Sequence, residues 1–303
     1  MHNKLIYSCL QNEKLVSFVK KQYITSYKRY FIGHEDDVED MIEKAFHVLI
    51  SSQKKGSKKD DLSRAVYDIS KNIFQIKNDS FWFNKLHYAY KTLIRPKKDF
   101  ESISSHIKGK TIHDFGCDGG FFSLELLRNH YGVVMSDVID HRISEVAHLP
   151  FYLMKKPNDV GFVDKSISTI VVKTVLHHID KKYIVNVLKK LRMSQSRLII
   201  EEDTYGFSDS IQYMSDSLLS QKAFKVFASF SKEEQYLYCV LTDYFSNAVI
   251  YGRPDITFPF KFKTIDEWKE LFKAAGFTLN KCIINGFNDW KLTQNCQVWF
   301  VLD

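Results

Sequence analysis

The stretch IHDFGCDGG, residues 112–120, decides the fold of this 303-residue chain. It is a short apolar segment that ends in several glycines, and the helical pattern FFSLELL follows it directly. A strand that ends in such a turn and opens a helix is typical of an α/β sheet, which binds ligands at the carboxyl ends of its strands. Glycines are needed there because the backbone turns sharply or approaches a ligand closely. The spacing differs from the dinucleotide-binding pattern G-x-G-x-x-G.

Short apolar strands alternate with helical patterns from residue 111 onward. We predict strands at 111–115, 132–136, 151–154, 168–174 and 197–202, and two more in FTLNKCIING and CQVWFVLD. Helices are predicted in FFSLELLRNH, KKYIVNVLKKL and TIDEWKELFKAAG. This alternation predicts a mostly parallel sheet with helices on both faces.

Two regions lack strand patterns. Residues 1–105 show apolar positions at helical spacing and predict a helical N-terminal region. Residues 106–303 then form the sheet domain, interrupted at about 204–250 by a helical insertion rich in aromatic residues. Those aromatic side chains either line a ligand pocket under a lid or form the core of the insertion itself.

Composition and charge exclude several classes of protein. No apolar run approaches the roughly 20 residues that cross a bilayer, and the first residues do not resemble a secretory signal. The 5 scattered cysteines show no zinc-ligand spacing, so we expect reduced thiols, a cytoplasmic location and no metal site. The net charge of +7 comes from an excess of basic residues within residues 1–110. That excess fits a nucleic-acid surface or, as we favour, solvated helix faces.

The glycine turn resembles the first motif of the class I S-adenosylmethionine-dependent methyltransferases, an acidic residue followed by G-x-G-x-G. The positions that match are Asp114, Gly116, Cys117 and Gly120. Asp118 occupies the place of the middle glycine, and Gly119 stands beside it. The resemblance implies a Rossmann-like three-layer sandwich with a seven-stranded sheet whose last strand is antiparallel. It also implies S-adenosylmethionine as cofactor, held by the whole turn from Asp114 to Gly120.

Further cofactor contacts follow from the same resemblance. Asp137 ends the strand GVVMSD and would accept hydrogen bonds from the ribose hydroxyls, with Val138 beside it. The alternative for Asp137 is a helix N-cap. Asn158 or Asp159 would meet the adenine amine, with Phe162 nearby, although such loop residues are also common turn formers.

Two adjacent histidines are the candidate catalytic residues. His177 and His178 follow the strand STIVVKTV, and imidazole titrates near neutral pH, which suits proton transfer. Either one also fits a packing or capping role. The carboxylates of Glu201, Glu202 and Asp203 end the next strand and would either orient an acceptor or lie solvated.

The sequence therefore predicts a methyltransferase that acts on the oxygen or nitrogen of a small molecule. One alternative is an RNA or protein methyltransferase that docks its substrate on the basic N-terminal region. Another is a catalytically silent binding protein, which the replacement of a glycine by Asp118 favours. The identity of the acceptor and the oligomeric state stay open.

Overall fold

The computed structural model describes residues 2–54, 59–161, 164–208, 218–253, 258–292 and 295–303. These residues form two compact units. The helical unit comprises Met1–Tyr90, Tyr205–Phe258 and Gly286–Asn295. The sheet unit comprises Lys91–Thr204, Pro259–Asn285 and Cys296–Asp303. The predicted insertion therefore belongs to the same unit as the N-terminal helices.

The helical unit contains α1 (His2–Gln11), α2 (Glu13–Tyr30), α3 (Glu35–Lys54), α4 (Lys59–Asp68), α5 (Trp82–Ala89), α9 (Leu218–Ala228) and α10 (Lys232–Tyr244), with π-helical turns at Ile69–Ile73 and Phe245–Ile250. Side-chain caps begin several of them. The Asn12 side chain accepts from the amide of Leu15 at the start of α2, and Ser231 and Glu234 form a capping box at the start of α10.

Aromatic side chains from the predicted insertion pack in the core of the helical unit. The ring of Phe245 lies 4.8 Å from that of Tyr23 and 4.5 Å from that of Phe46. The ring of Phe227 lies 5.0 Å from that of Tyr238, and all five side chains are buried. Of the two roles expected for the aromatics of this region, the contacts support a core.

The sheet unit is built from β1 (Thr111–Phe115), β2 (Gly132–Asp137), β3 (Phe151–Leu153), β4 (Thr169–Lys173), β5 (Arg197–Tyr205), β6 (Lys263–Thr264), β7 (Leu279–Ile284) and β8 (Gln297–Leu302). Its helices are α6 (Arg95–Ile103), α7 (Phe121–Arg128), α8 (Lys181–Arg192) and α11 (Ile265–Ala274). The main strand order is β3-β2-β1-β4-β5-β8-β7, and the two-residue β6 pairs with β5 beside this path. The predicted Rossmann-like sandwich of seven main strands is confirmed.

The pairing of the strands explains where a ligand would bind. Strands β1 to β5 are parallel, whereas β8 runs antiparallel to both β5 and β7. The apolar core on one face includes Ile112, Val171, Ile199 and Trp299, packed with Phe122 of α7. The order of the strands reverses at β1, which places a ligand crevice at the carboxyl ends of β1, β2 and β4. No helix of the described residues has the length and apolar character needed to span a bilayer.

Candidate active site

Glycine is required at two places in the turn after β1. Gly116 has a φ of +75° and Gly120 a φ of +74°, in the left-handed region that side chains disfavour. A Cβ added to Gly116 would lie 2.3 Å from Cγ2 of Val175, and one added to Gly120 would lie 2.6 Å from Cγ2 of Val146. The turn therefore packs too tightly against its neighbours for larger residues at these positions.

The amides of Gly116, Cys117, Asp118 and Gly120 are engaged within the protein. Gly116 and Cys117 both donate to the carbonyl oxygen of Ser136, at 2.8 and 3.1 Å, and Gly120 donates to the carbonyl oxygen of Cys117 at 2.8 Å. Sites that cradle phosphate aim several backbone amides at the ligand. The turn uses these amides to hold its own shape, so they are not available to cradle a phosphate group. Burial raises the pKa of the Cys117 thiol, which keeps it protonated and poorly nucleophilic.

Asp137 holds the turn from the neighbouring strand. One carboxylate oxygen accepts from the amide of Asp118 at 2.8 Å, and the other accepts from the amide of Val138 at 2.6 Å. Burial raises the pKa of Asp137, while these two amides partly oppose that rise. The amide of Ile139 also lowers this pKa, and an ionised carboxylate has about four acceptor sites, so capacity is left for a ligand hydroxyl.

Asp114 is a buried carboxyl group beneath the same turn. Its Oδ2 accepts from the hydroxyl of Ser123 at 2.6 Å, and only 2% of the residue is exposed. Burial raises the pKa of Asp114 from 3.8 to about 6, although the Ser123 hydrogen bond and the charge of Lys173 oppose the rise. At neutral pH the group is ionised and favours a cationic ligand.

A cleft with about 540 Å³ of empty space, partly open to solvent, lies between β1, β4 and α6 in the sheet unit. Its walls combine acidic and basic side chains with aromatic rings: Lys91, Arg95, Pro96, Asp114, Gly116, Cys117, Asp118, Phe121, Phe122, Lys173 and Thr174. A cleft lined by both signs of charge suits a zwitterionic ligand, such as the amino-acid end of S-adenosylmethionine.

His177 lies after β4 in a tight hydrogen-bond arrangement. Its Nδ1 is 2.7 Å from Oε2 of Glu202, whose other oxygen accepts from the amide of Leu176 at 2.6 Å. Both side chains of the pair are buried. A carboxylate only accepts hydrogen bonds, so the proton lies on Nδ1, and in the neutral ring the lone pair lies on Nε2. This arrangement fixes the tautomer of His177, although Nε2 is itself buried and the residue is not among those that line the cleft.

The segment before β6 covers His177. Lys261 donates its amide to the carbonyl oxygen of His177 at 3.3 Å, and the ring of Phe262 stacks on the imidazole at 4.9 Å. Lys263 is buried, which lowers its pKa to about 8, while the negative charge of Glu202 favours its protonated form. Three consecutive residues therefore contact this pair: Lys261 holds the backbone of His177, Phe262 packs on its ring, and Lys263 lies near the charge of Glu202.

The structure places the other predicted residues as follows. His178 is half-buried, with its ring 4.1 Å from that of His177. The Asp159 carboxylate accepts from the amides of Lys155 at 3.1 Å and Gly161 at 3.0 Å, so it folds its own loop, in which Asn158 is half-buried. Phe162 lies outside the described residues. The adenine role of Asn158, Asp159 and Phe162 stays a prediction.

The sequence missed one set of residues at the cleft and left the role of another open. Lys91, Arg95 and Lys173 line the cleft, although the first two lie in the helical segment before β1, where nothing in the sequence distinguishes them from solvated lysines and arginines. The carboxylates of β5 were expected to be solvated or to orient an acceptor. Glu201, Glu202 and Asp203 are all buried, so the solvated alternative is wrong.

No protein-family model matches the chain, and no curated protein sequence matches it. Solved structures do. N,N-8-amino-8-demethyl-D-riboflavin dimethyltransferase (RosA) from Streptomyces davawensis is 15% identical, with a TM-score of 0.50 over 87% of this chain and 70% of that one. CalO1, a methyltransferase in calicheamicin biosynthesis solved in an SAH-bound form, is 14% identical, with a TM-score of 0.47 over 92% and 71%.

Magnesium protoporphyrin IX methyltransferase (ChlM) from Synechocystis PCC 6803, solved with bound SAH, is 13% identical, with a TM-score of 0.40 over 75% of this chain and 90% of that one. At such identities a structural likeness speaks of fold alone. The strand order and the likeness to RosA together give the chain the fold of the class I S-adenosylmethionine-dependent methyltransferases. The fold that the glycine turn predicted is therefore confirmed.

Proposed function

We propose that the sheet unit binds S-adenosylmethionine at the turn after β1 and that the protein transfers the methyl group to the oxygen or nitrogen of a small molecule. The observation that carries this proposal is the turn itself. The amides of Gly116, Cys117 and Gly120 are engaged within the protein, and the carboxylates of Asp114 and Asp137 lie below and beside the turn. This chemistry favours a cationic nucleoside over a nucleotide.

Specific residues fit the parts of the cofactor. We assign the ribose to Asp137 and Val138, which lie at the end of β2, and the ammonium group to the carboxylate of Asp114. When bound, S-adenosylmethionine supplies an activated methyl group on a sulfonium. The protein then has to align the acceptor, and such orientation contributes about 7–11 kcal/mol in favourable cases.

His177 is the proposed general base. Its Nε2 takes the proton from the acceptor hydroxyl or amine, and the Glu202 carboxylate stabilises the imidazolium that forms. Lys261 and Phe262 keep the ring in place during this transfer. General-base catalysis of this kind contributes about 10²–10⁴-fold in rate.

The small-molecule acceptor is proposed by analogy of fold. RosA is by its name a dimethyltransferase of a riboflavin derivative, and a fold alone does not fix a substrate. The experiment must therefore test both the cofactor and the acceptor.

The test uses the full chain in two steps. Calorimetry is expected to show binding of S-adenosylmethionine and no binding of ATP at the same concentration, and the reverse preference would overturn the proposed cofactor. The protein is then incubated with methyl-labelled cofactor and either a small-metabolite extract or total RNA. Label in a small metabolite supports the proposal. Salt-sensitive labelling of RNA supports the nucleic-acid alternative, and binding without transfer supports the silent one.

A further inference from the structure

Two of the three cations that line the cleft share one buried carboxylate. Lys173 forms an ion pair with Asp99, and its Nζ lies 4.5 Å from the centre of the Phe122 ring. The Nε of Arg95 lies 3.7 Å from Oδ2 of the same Asp99, whose side chain is 1% exposed. Buried pairs of this kind exchange partners with difficulty, because separation would strand a charge away from water. Lys173 is therefore a fixed part of the wall, whereas Arg95, whose side chain is 29% exposed, is held less tightly by the same carboxylate.

Lys91 is held differently. Its Nζ lies 4.6 Å from the centre of the Phe121 ring and 3.5 Å from Oδ2 of Asp118. The Lys91 side chain is 19% exposed, whereas the Asp118 side chain is 44% exposed. A long ion pair with one partner in water is weak, because solvent competes with it. The aromatic ring thus fixes the ammonium group, and Asp118 is a partner that a ligand can replace.

The backbone of the turn does not require a side chain at Asp118. The residue has a φ of +49°, a conformation that glycine adopts without strain. Its amide, which every residue except proline has, makes the hydrogen bond to Asp137. What the aspartate adds is a carboxylate at the edge of the cleft, beside Lys91 and in the place of the glycine in the motif that the turn resembles.

We propose that Lys91 binds the α-carboxylate of the cofactor and that Asp118 is an internal counter-ion which this carboxylate displaces. The inference rests on the proposed function, because it assigns the amino-acid end of S-adenosylmethionine to the charged part of the cleft. Both carboxylates compete for one ammonium group. Asp118 therefore weakens the binding of ligands that carry a carboxylate and leaves ligands without one unaffected.

The experiment compares S-adenosylmethionine with decarboxylated S-adenosylmethionine, which lacks only the α-carboxylate, by calorimetry on the full chain. Lys91→Met is expected to weaken binding of S-adenosylmethionine by about 10- to 100-fold, as for loss of a hydrogen bond between charged groups. It should change the affinity for the decarboxylated form less than about twofold, because a weak screened contact contributes little. Lys98→Met, an exposed lysine on α6, is the control and should change neither affinity.

Asp118 is tested with two variants, because Asp118→Gly removes strain as well as charge. Asp118→Asn and Asp118→Gly should each raise the affinity for S-adenosylmethionine about two- to fivefold, the scale of a screened ion pair. Neither should raise the affinity for the decarboxylated form. In a Lys91→Met background the effect of Asp118→Asn should vanish, because the two residues act through the same contact.

The outcomes separate this inference from the proposed function. If 5′-methylthioadenosine and S-adenosylmethionine both fail to bind the wild-type chain, the proposed cofactor is wrong and this inference fails with it. If both bind, and Lys91→Met weakens S-adenosylmethionine and its decarboxylated form equally or changes neither, only the role of Lys91 is refuted. Weaker binding of S-adenosylmethionine to Asp118→Asn would show that Asp118 supports the cofactor and does not compete with it. Thermal melting of each variant confirms that it is folded.

Discussion

The turn after β1 and the segment after β4 are both held in place by a carboxylate from a neighbouring strand, but the two carboxylates have different second partners. Each begins with a residue of positive φ, Gly116 in the first and Thr174 in the second. In each, a carboxylate from a neighbouring strand accepts a backbone amide, Asp137 in the first and Glu202 in the second. The second oxygen of Asp137 accepts another backbone amide, whereas the second oxygen of Glu202 meets an imidazole.

This difference suits the first region to ligand binding and the second region to proton transfer. The carboxylate of the first region fixes backbone alone, so substitutions there should change ligand affinity and folding. The carboxylate of the second region couples backbone to the His177 ring, so substitutions there should change turnover.

The largest effect is expected for His177→Asn, which keeps an N–H for Glu202 and removes the basic ring nitrogen. Turnover should fall about 10²–10⁴-fold, and the affinity for S-adenosylmethionine should change less than about threefold, since no hydrogen bond to a charged group is lost there. Steady-state kinetics with the acceptor identified by labelling measure turnover, and calorimetry measures the affinity for S-adenosylmethionine. His148→Asn, at an exposed histidine, is the control. Full activity of His177→Asn would exclude the imidazole from the chemistry.

Gly116→Ala should disrupt the first region and disturb the second. The alanine would have to keep the left-handed backbone conformation of Gly116, and its Cβ would collide with Val175. We therefore expect a loss of about 2–5 kcal/mol in the free energy of unfolding. Urea denaturation measures it. Gly132→Ala is the matched control, because its nearest neighbour would be the Lys110 carbonyl oxygen at 3.6 Å. Equal stability of the two variants would contradict the tight packing of the turn.

Asp114→Asn tests the charge beneath the first region through pH. The pKa of Asp114 is about 6 in the folded protein, above its ordinary value of 3.8. The folded chain therefore binds the proton more tightly than the unfolded chain, and stability is lost as pH rises from about 4 through 6. The asparagine removes this loss. Relative to wild type, the variant should gain about 2 kcal/mol between pH 4 and pH 7.5, measured by urea denaturation at both pH values.

The control for that pH series is Asp164→Asn, at a half-exposed aspartate whose pKa is lowered by hydrogen bonds from the backbone and side chain of Ser166. Because its folded pKa lies below the ordinary value of 3.8, its contribution to stability is lost only as pH falls below about 4. Asp164→Asn should therefore change little relative to wild type between pH 4 and pH 7.5, whereas Asp114→Asn gains. An equal change in both variants would refute the assignment of a raised pKa to Asp114.

The smallest effect is expected at Asp137. Asp137→Ala should weaken the binding of S-adenosylmethionine by about 1–3 kcal/mol, because it removes a charged acceptor from the ribose position. Asp137→Asn, which keeps one acceptor oxygen, should weaken it less. Calorimetry compares the two variants at a temperature where both are folded. Wild-type affinity in Asp137→Ala would remove this carboxylate from the ligand site.

The strands and the glycine turn were predictable from the sequence because their signals are local. β1 and the starts of β2, β3 and β5 fall where alternation and short apolar runs placed them, since a buried parallel strand reads as a continuous apolar segment. Asp114 and the glycines lie on one continuous stretch, so the motif carries their positions. The adenine contacts near Asp159 stay predictions.

The partners of the site residues were not predictable, because they depend on register across the sheet. Glu202 holds His177, and only strand pairing shows that it does so rather than Glu201. Lys91 lies far from Asp118 in the chain and meets it through the packing of a helical segment. The sequence also did not indicate that the aromatic residues of the insertion pack in one core with the N-terminal helices, because that depends on how the helices pack.

The placement of β8 has a consequence for synthesis on the ribosome. It follows every other strand in the chain, yet it lies between β5 and β7, and all six of its residues are buried. A nascent chain that has emerged only as far as β7 therefore presents one side of β5 and one side of β7 without their eventual neighbour. Such open edges invite wrong pairing between chains, so slow emergence of residues 297–303 from the ribosome should lower the yield of folded protein.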